Sequence, residues 1–211
     1  MRSESLRILF VINNRSGRNK NSNWQSQIED YFGKLPYEQH FFIMPPKNCE
    51  KQLTETVKKI NPGLIVAVGG DGTVTLVAKQ VLNTGMEMAI VPAGSANGMA
   101  RELDIPEDPV KAFEVVLKGT VKETDVISIN DNEICLHLSD IGLNAQLVKY
   151  FQEGRVRGFL GYSFALVKAL NRHRKMRVAV HTRHEEVVRE AYMVLIANAS
   201  KYGTGAIINP Q

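Results

Sequence analysis

The stretch Gly69-Gly70-Asp71-Gly72-Thr73 sets one carboxylate among glycines, directly after the apolar run Leu64 to Val68. Glycines leave backbone N–H groups uncovered, and a helix beginning there adds the positive end of its macrodipole, so such a turn suits a phosphate. The acid refines that chemistry. A carboxylate beside a polyphosphate is repelled unless a divalent cation or a held water lies between them, and Mg²⁺ with ATP is the pair that meets this condition. The same residues also fit a tight strand-to-helix turn in which Asp71 bonds its own backbone.

Two further loops carry the same kind of residue. Met88 to Val91 reads as a strand, followed by Pro92-Ala93-Gly94-Ser95-Ala96-Asn97-Gly98 and then the helical Met99 to Leu103. Ser95 offers a hydroxyl to a phosphate oxygen, and Asn97 can bond a ligand and the turn backbone, or cap a helix. Leu6 to Ile12 is an apolar first strand, with Asn13-Asn14-Arg15-Ser16-Gly17-Arg18 after it. Arginine forks suit phosphate oxygens, although a solvated surface loop would also carry Arg15.

Elements of a definite kind must hold these loops. Short β-branched runs without alternation are strands covered on both faces, as in a parallel sheet. Helical spacing appears around Asn23 to Lys34, Glu50 to Ile60, Val74 to Asn83 and Pro109 to Leu117, between those strands. The alternation predicts a doubly wound α/β nucleotide-binding lobe over residues 1–122, with the loops after Val68 and Val91 on one rim, where open α/β sheets bind ligands. The rhythm changes near Glu123. Val126 to Ile129 and Ile134 to Ile141 predict one hairpin, and Arg177 to His181 with Val187 to Ala197 another. Residues 123–211 are thus expected to form a mainly antiparallel β lobe with an inserted helical segment. That segment, Lys149 to Arg177, interleaves Arg155, Arg157, Lys168, Arg172, Arg174, Lys175 and Arg177 with Tyr150, Phe151, Phe159, Tyr162 and Phe164. Such a mixture suits an anionic membrane surface, while the apolar members at helical spacing also fit a core stripe. Arg155 and Arg157 could instead reach a transferred phosphate.

The three loops, in this order and at these separations, resemble the diacylglycerol kinase catalytic-domain family, which includes bacterial lipid kinases, sphingosine kinases and ceramide kinases. The likeness runs on through Asp125, Ser139 to Asn144, Gly158 to Tyr162, Asn198 and Tyr202 to Gly205. It implies transfer of the ATP γ-phosphate to a lipid hydroxyl, with Mg²⁺ as cofactor. It also implies a β-rich lobe that closes over the nucleotide lobe. Gly69, Gly70, Gly72 and Thr73 would hold the phosphates and Asp71 would organise Mg²⁺. Asn13, Ser16, Gly17, Ser95 and Asn97 would add nucleotide contacts, Asp125 would face the cleft with a catalytic role, and Arg18 and Arg101 would be charge partners of the transferring group.

Departures from the family pattern bear on the acceptor. Asn14 stands where Pro is common, Thr75-Leu76 replaces an Asn-Glu pair, and Gly98 replaces the Asp that diacylglycerol-type members carry after Asn97. With Ser95, the second loop is nearer the sphingosine-kinase-like form. The family's acid that acts as general base lies in a further stretch, and the chain is expected to be truncated before it.

Composition narrows the classes. A net charge of +4 does not single out a nucleic-acid binder, and Cys49 and Cys135 are too far apart for a zinc motif or a disulfide framework. Leu6 to Ile12 is too short for a membrane span or signal segment, so the expected setting is cytoplasmic, at the inner face of the membrane with a lipid partner. The oligomeric state is not fixed by the sequence, and a homodimer is compatible with it. His181 and His184 read as an exposed turn, Asp140 as a solvent-facing strand residue and Trp24 as packing or a surface anchor for the first helix. Two rival functions share the loops: a NAD-kinase-like enzyme and a non-catalytic nucleotide sensor that docks on membranes. A Rossmann oxidoreductase fits least, because neither glycine loop reads Gly-x-Gly-x-x-Gly.

Overall fold

The structure is a computed structural model of the 211-residue chain and describes residues 6–17, 23–131, 133–143, 150 and 174–199. The first half alternates strictly: β1 (Arg7–Ile12), α1 (Trp24–Phe32), β2 (Glu38–Ile43), α2 (Cys49–Ile60), β3 (Leu64–Gly69), α3 (Asp71–Val81) and β4 (Glu87–Pro92), followed by α4 (Gly98–Glu102) and α5 (Pro109–Lys118). The four strands form one parallel sheet in the order β2-β1-β3-β4. Strand order reverses between β1 and β3, the point at which such sheets bind ligands.

Burial explains why the central strands lack alternation. Ile8 to Ile12 and Leu64 to Val68 are completely inaccessible. One set of their side chains packs with Leu53, Val57, Val74, Val77 and Ala78 from α2 and α3. The other set packs with Ile28, Phe32, Ala112, Phe113 and Val116 from α1 and α5. On that second face Phe10, Phe32 and Phe113 meet edge to face, at 5.1 and 5.5 Å between centroids. Local signals set the helix starts. Asn23 accepts from the Ser26 N–H at 3.3 Å before α1, and Asp108 accepts from the Lys111 N–H at 2.9 Å before α5, with Pro109 in the first helical position.

Two short antiparallel strands follow, β5 (Ile127–Ile129) and β6 (Glu133–Cys135), then β7 (Leu138–Gly142), β8 (Met176–His181), β9 (Glu186–Ala191) and β10 (Met193–Ala197). The chain divides into two compact units. One runs through His137 and takes the chain back at Asn198; the other is Leu138–Ala197. The boundary expected near Glu123 falls earlier in the chain, before β5, and the β5–β6 hairpin belongs to the first unit.

Both long strands expected in the second half are broken. Ile134 to Ile141 divides at Leu136-His137 into β6 and β7, which lie in different sheets. Val187 to Ala197 divides at Tyr192, so β8 pairs with β9 while β10 pairs with β7. The second break has a local cause. The Tyr192 carbonyl accepts the Leu143 N–H at 3.0 Å and closes on Gly142, whose φ of +107° only glycine holds without strain. The face of β7 is also the reverse of the expected one, since Asp140 is half-buried and Ile141 is 57% exposed. His181 and His184 lie exposed at the β8–β9 turn, as their spacing suggests. Among the described residues no helix is long and apolar enough to cross a membrane.

Candidate nucleotide site

The sheet register brings the three loops level. Ile12 pairs with Val68, Val68 with Val91 and Gly69 with Pro92, so β1, β3 and β4 end side by side. Ladder bonds continue one step past the strands, from the Asn13 N–H to the Val68 carbonyl at 3.0 Å and from the Ala93 N–H to the Gly69 carbonyl at 2.9 Å. The loops therefore start at a common height on one rim.

The β3 loop is shorter than the sequence suggests, because α3 begins at Asp71. Asp71, Gly72 and Thr73 form its first turn, and Gly70 is the N-cap, without a side chain to bond the first N–H groups. A helix cannot satisfy its own first donors, so those of Asp71 and Gly72 point to the rim. The glycines differ in role. A Cβ on Gly69 would collide with the Thr73 side chain, and one on Gly70 would stand 3.1 Å from the Gly94 Cα, so both answer to packing. A Cβ on Gly72 meets nothing within 4 Å. Only there is the missing side chain left over by the protein's own packing and open to an incoming group.

Each remaining loop residue has a definite post. The Asn13 amide donates to the Thr73 hydroxyl at 3.3 Å, while its side-chain oxygen accepts the Arg15 N–H at 3.1 Å. Asn13 thus shapes its own loop and ties it to α3, with Thr73 buried. The Ser16 hydroxyl donates to the Asn13 carbonyl at 2.8 Å. Gly17 has a φ of +75°, and a Cβ there would meet the Ala93 carbonyl at 2.5 Å, so the first loop packs backbone to backbone on the β4 loop. Asn97, itself left-handed at φ 51° and buried, clasps Gly94 with both ends of its amide, at 2.8 and 3.1 Å. It makes no side-chain cap bond to α4, so it is the clasp of the β4 turn. Ser95 is exposed at the tip of that turn.

Asp71 makes the connection that matters most. Its Oδ1 accepts the Met99 N–H at 3.1 Å, joining the acid of the β3 loop to the residues after the β4 loop. Asp71 therefore bonds backbone, as a tight turn allows, but the backbone of a different loop. A carboxylate has a second oxygen to offer, and a metal ion held chiefly by substrate phosphates and water needs only one or two carboxylates. The donor set therefore fits a Mg²⁺ that arrives with a nucleotide. It does not fit an all-protein cage, since among the described residues no three His, Cys, Asp or Glu side chains gather.

Two other expected site residues, Arg101 and Asp125, make bonds outside the three loops. Arg101 pairs with Glu107, Nη2 to Oε1 at 2.8 Å. The Asp125 side chain is exposed, and its carbonyl accepts from the Asn198 amide at 2.7 Å. Arg18, Arg155 and Arg157 lie outside the described residues, as does most of the basic aromatic segment. Arg15 donates to the Pro45 carbonyl at 3.2 Å. Burial pushes the nearby Cys49 thiol up, with Arg15 opposing and Glu50 reinforcing.

Sequence reasoning missed two features. A cleft of about 360 Å³ opens beside the loops, lined by Ser16, Gly94 and Asn97 together with Trp24, Gln27 and Glu107. His137 lies against Gly98, far away along the chain. No spacing rule links these residues, because tertiary packing alone brings them together.

The sequence profile of the family described as "Diacylglycerol kinase catalytic domain" matches residues 7–129, which cover the sheet, the three loops and β5. The chain belongs to the diacylglycerol kinase catalytic domain family. Its relatives include a protein named "Probable lipid kinase YegS-like" from Klebsiella pneumoniae, 25% identical, which covers 82% of this chain and 59% of its own length. An uncharacterized protein of Synechocystis is 29% identical, covering 75% of this chain and 39% of the relative. The chain spans about half the length of the curated relatives it matches. Among solved structures, a diacylglycerol kinase from Bacillus anthracis superposes with a TM-score of 0.67 at 20% identity, over 93% of this chain and 66% of that one. That likeness confirms the kinase-like fold: a parallel four-stranded sheet with antiparallel strands following it.

Proposed function

We propose that this diacylglycerol kinase family chain binds Mg·ATP and transfers the γ-phosphate to a lipid hydroxyl, with a diacylglycerol- or sphingosine-like acceptor. One observation carries the reading. Three loops interlock at the sheet's switch point, and within them Gly72 alone among the β3-loop glycines is left open. An opening beside helix N–H groups that have no partner within the helix suits a phosphate.

Each residue has a task in this reading. The N–H groups of Asp71 and Gly72 receive phosphate oxygens, Thr73 and Asn13 fix the first turn of α3, and Ser95 supplies a hydroxyl from the β4 loop. Asp71 turns its second oxygen toward the metal or its water. Mg²⁺, when bound, neutralises phosphate charge and orients the group to be transferred. Preorganised dipoles and positioning then supply most of the catalysis, as in phosphoryl transfer generally. Asp125 contributes charge to the cleft. The acceptor is a lipid presented at the inner face of the membrane.

The test is γ-phosphate transfer from labelled ATP and Mg²⁺ to mixed micelles of diacylglycerol, phosphatidylglycerol or sphingosine. Transfer to one lipid supports the reading and names the acceptor. ATP binding with no transfer to any lipid points instead to a nucleotide sensor, and transfer to NAD to a NAD-kinase-like enzyme.

A further inference from the structure

We propose that His137 is a positioning residue of the phosphate site, acting through Gly98 on the β4 loop; the inference rests on the nucleotide-binding reading above. A Cβ on Gly98 would stand 2.8 Å from both Cε1 and Nδ1 of His137, and 3.3 Å from Nε2. These atoms form the outer edge of the ring, so the imidazole fills the volume that a side chain at position 98 would need. Gly98 is not among the glycines with positive φ. Its lack of a side chain therefore answers to the ring and not to a backbone conformation.

The ring presses on a critical point. Immediately before Gly98, Asn97 clasps Gly94, and immediately after it, the Met99 N–H binds Asp71 at 3.1 Å. Gly98 is buried between these two bonds. Any shift of its backbone moves the loop that carries Ser95 against the acid of the β3 loop. His137 is itself held from behind. Its carbonyl accepts the Asn198 N–H at 2.9 Å, and the Asn198 amide donates to the carbonyls of Leu136 at 3.0 Å and Asp125 at 2.7 Å. A continuous line of contacts thus runs from Asp125 and Asn198 through His137 and Gly98 to Asp71. It supplies the β4 loop with a side chain that its own sequence lacks.

The contacted atoms are the far end of a side chain, so a methyl group at position 98 would push the ring aside and take away the support it gives the loop backbone. Gly98→Ala and His137→Ala should then do the same damage. Mg·ATP affinity is measured by titration calorimetry on the wild type, both single variants and the double variant, with melting temperatures alongside. Each single change is expected to weaken Mg·ATP about tenfold, and the double variant to be no weaker than the worse single one, as for residues that act through one contact. Melting temperatures should stay within a few degrees of wild type. Wild-type affinity in His137→Ala would overturn the proposal, and so would losses that multiply in the double variant. Should His137→Ala fail to fold, His137→Asn carries the same comparison. A wild-type chain that binds no nucleotide sinks the proposed function instead. The pairing is then judged by melting temperature, where additive shifts overturn it.

Discussion

Glycine residues close together in the β3 loop have opposite reasons to be glycine, and substitution separates them. Gly69 has the Thr73 side chain where its Cβ would lie, whereas Gly72 has open space. Gly72 is also in the first turn of α3, where alanine is the better helix former by about 0.5–1 kcal/mol. Gly72→Ala is therefore expected to melt no lower than wild type while its Mg·ATP affinity falls, on the order of tenfold, because the methyl group blocks the approach of the phosphate. Thermal melting and ATP titration on one preparation check this, and unchanged affinity would show that no ligand passes Gly72. Asp71 divides in a similar way. Asp71→Asn keeps an oxygen for the Met99 N–H but loses the charge, so it should hold its stability and lose Mg-dependent turnover by about a hundredfold or more. Asp71→Ala loses both and should also unfold more easily, by about 1–2 kcal/mol. Chemical denaturation beside a turnover assay distinguishes the two variants; equal stability would remove the tether from the account.

At the scale of elements, α3 carries the site and is steadied at its far end. Lys79, in its last turn, donates to Glu133 of β6 at 2.8 Å and lies 3.8 Å from Glu50 of α2. The bond to Glu133 is the main reason that the Lys79 pKa rises above its ordinary value of 10.5; burial works against the rise, and the charges of Glu50 and Glu133 add to it. A raised lysine pKa favours the folded state while the group is protonated in both states. The contribution is thus complete below 10.5 and fades as pH climbs through the higher folded value. Both acids are more than half exposed, so screening holds the effect to a few tenths of a kcal/mol up to about 1 kcal/mol. Stability measured between neutral pH and pH 11 should fall more steeply in wild type than in Lys79→Met. Parallel curves would mean that the pair contributes nothing. This tether was not legible in the sequence, whereas α3 itself was, since Val74, Val77 and Ala78 declare its buried face. Its start at Asp71 was not legible, because Gly72 carries no side chain to show the helical period in the first turn.

For the molecule as a whole, the legible part is the part built from short-range rules. Uninterrupted apolar runs identify β1, β3 and β4, and strand-to-helix alternation puts the loops of β3 and β4 on one rim, whereas the β1 loop joins them through the sheet register. Bonds between loops were not legible: Asn13 to Thr73, Asp71 to Met99 and His137 against Gly98 are matters of tertiary register. The second half was read less well for a related reason, since β6 and β7 are consecutive in sequence yet belong to different sheets. The return of the chain at Asn198 shows what such a junction requires. Asn198 donates its backbone N–H to the His137 carbonyl and its side-chain amide to the carbonyls of Asp125 and Leu136, the latter residue being buried. Asn198→Ala leaves those carbonyls without the amide, and an unpaired buried acceptor costs about 1–3 kcal/mol. Asn198→Asp keeps the shape but offers oxygen to oxygen, so it should be worse than alanine. Urea unfolding of the two variants tests this order. If both match wild type, the amide is not what holds Asp125 and His137 in the first unit. If aspartate alone is damaging, only repulsion matters there. The expected order of wild type, alanine and aspartate requires the amide bonds to be made and to hold the returning chain in place.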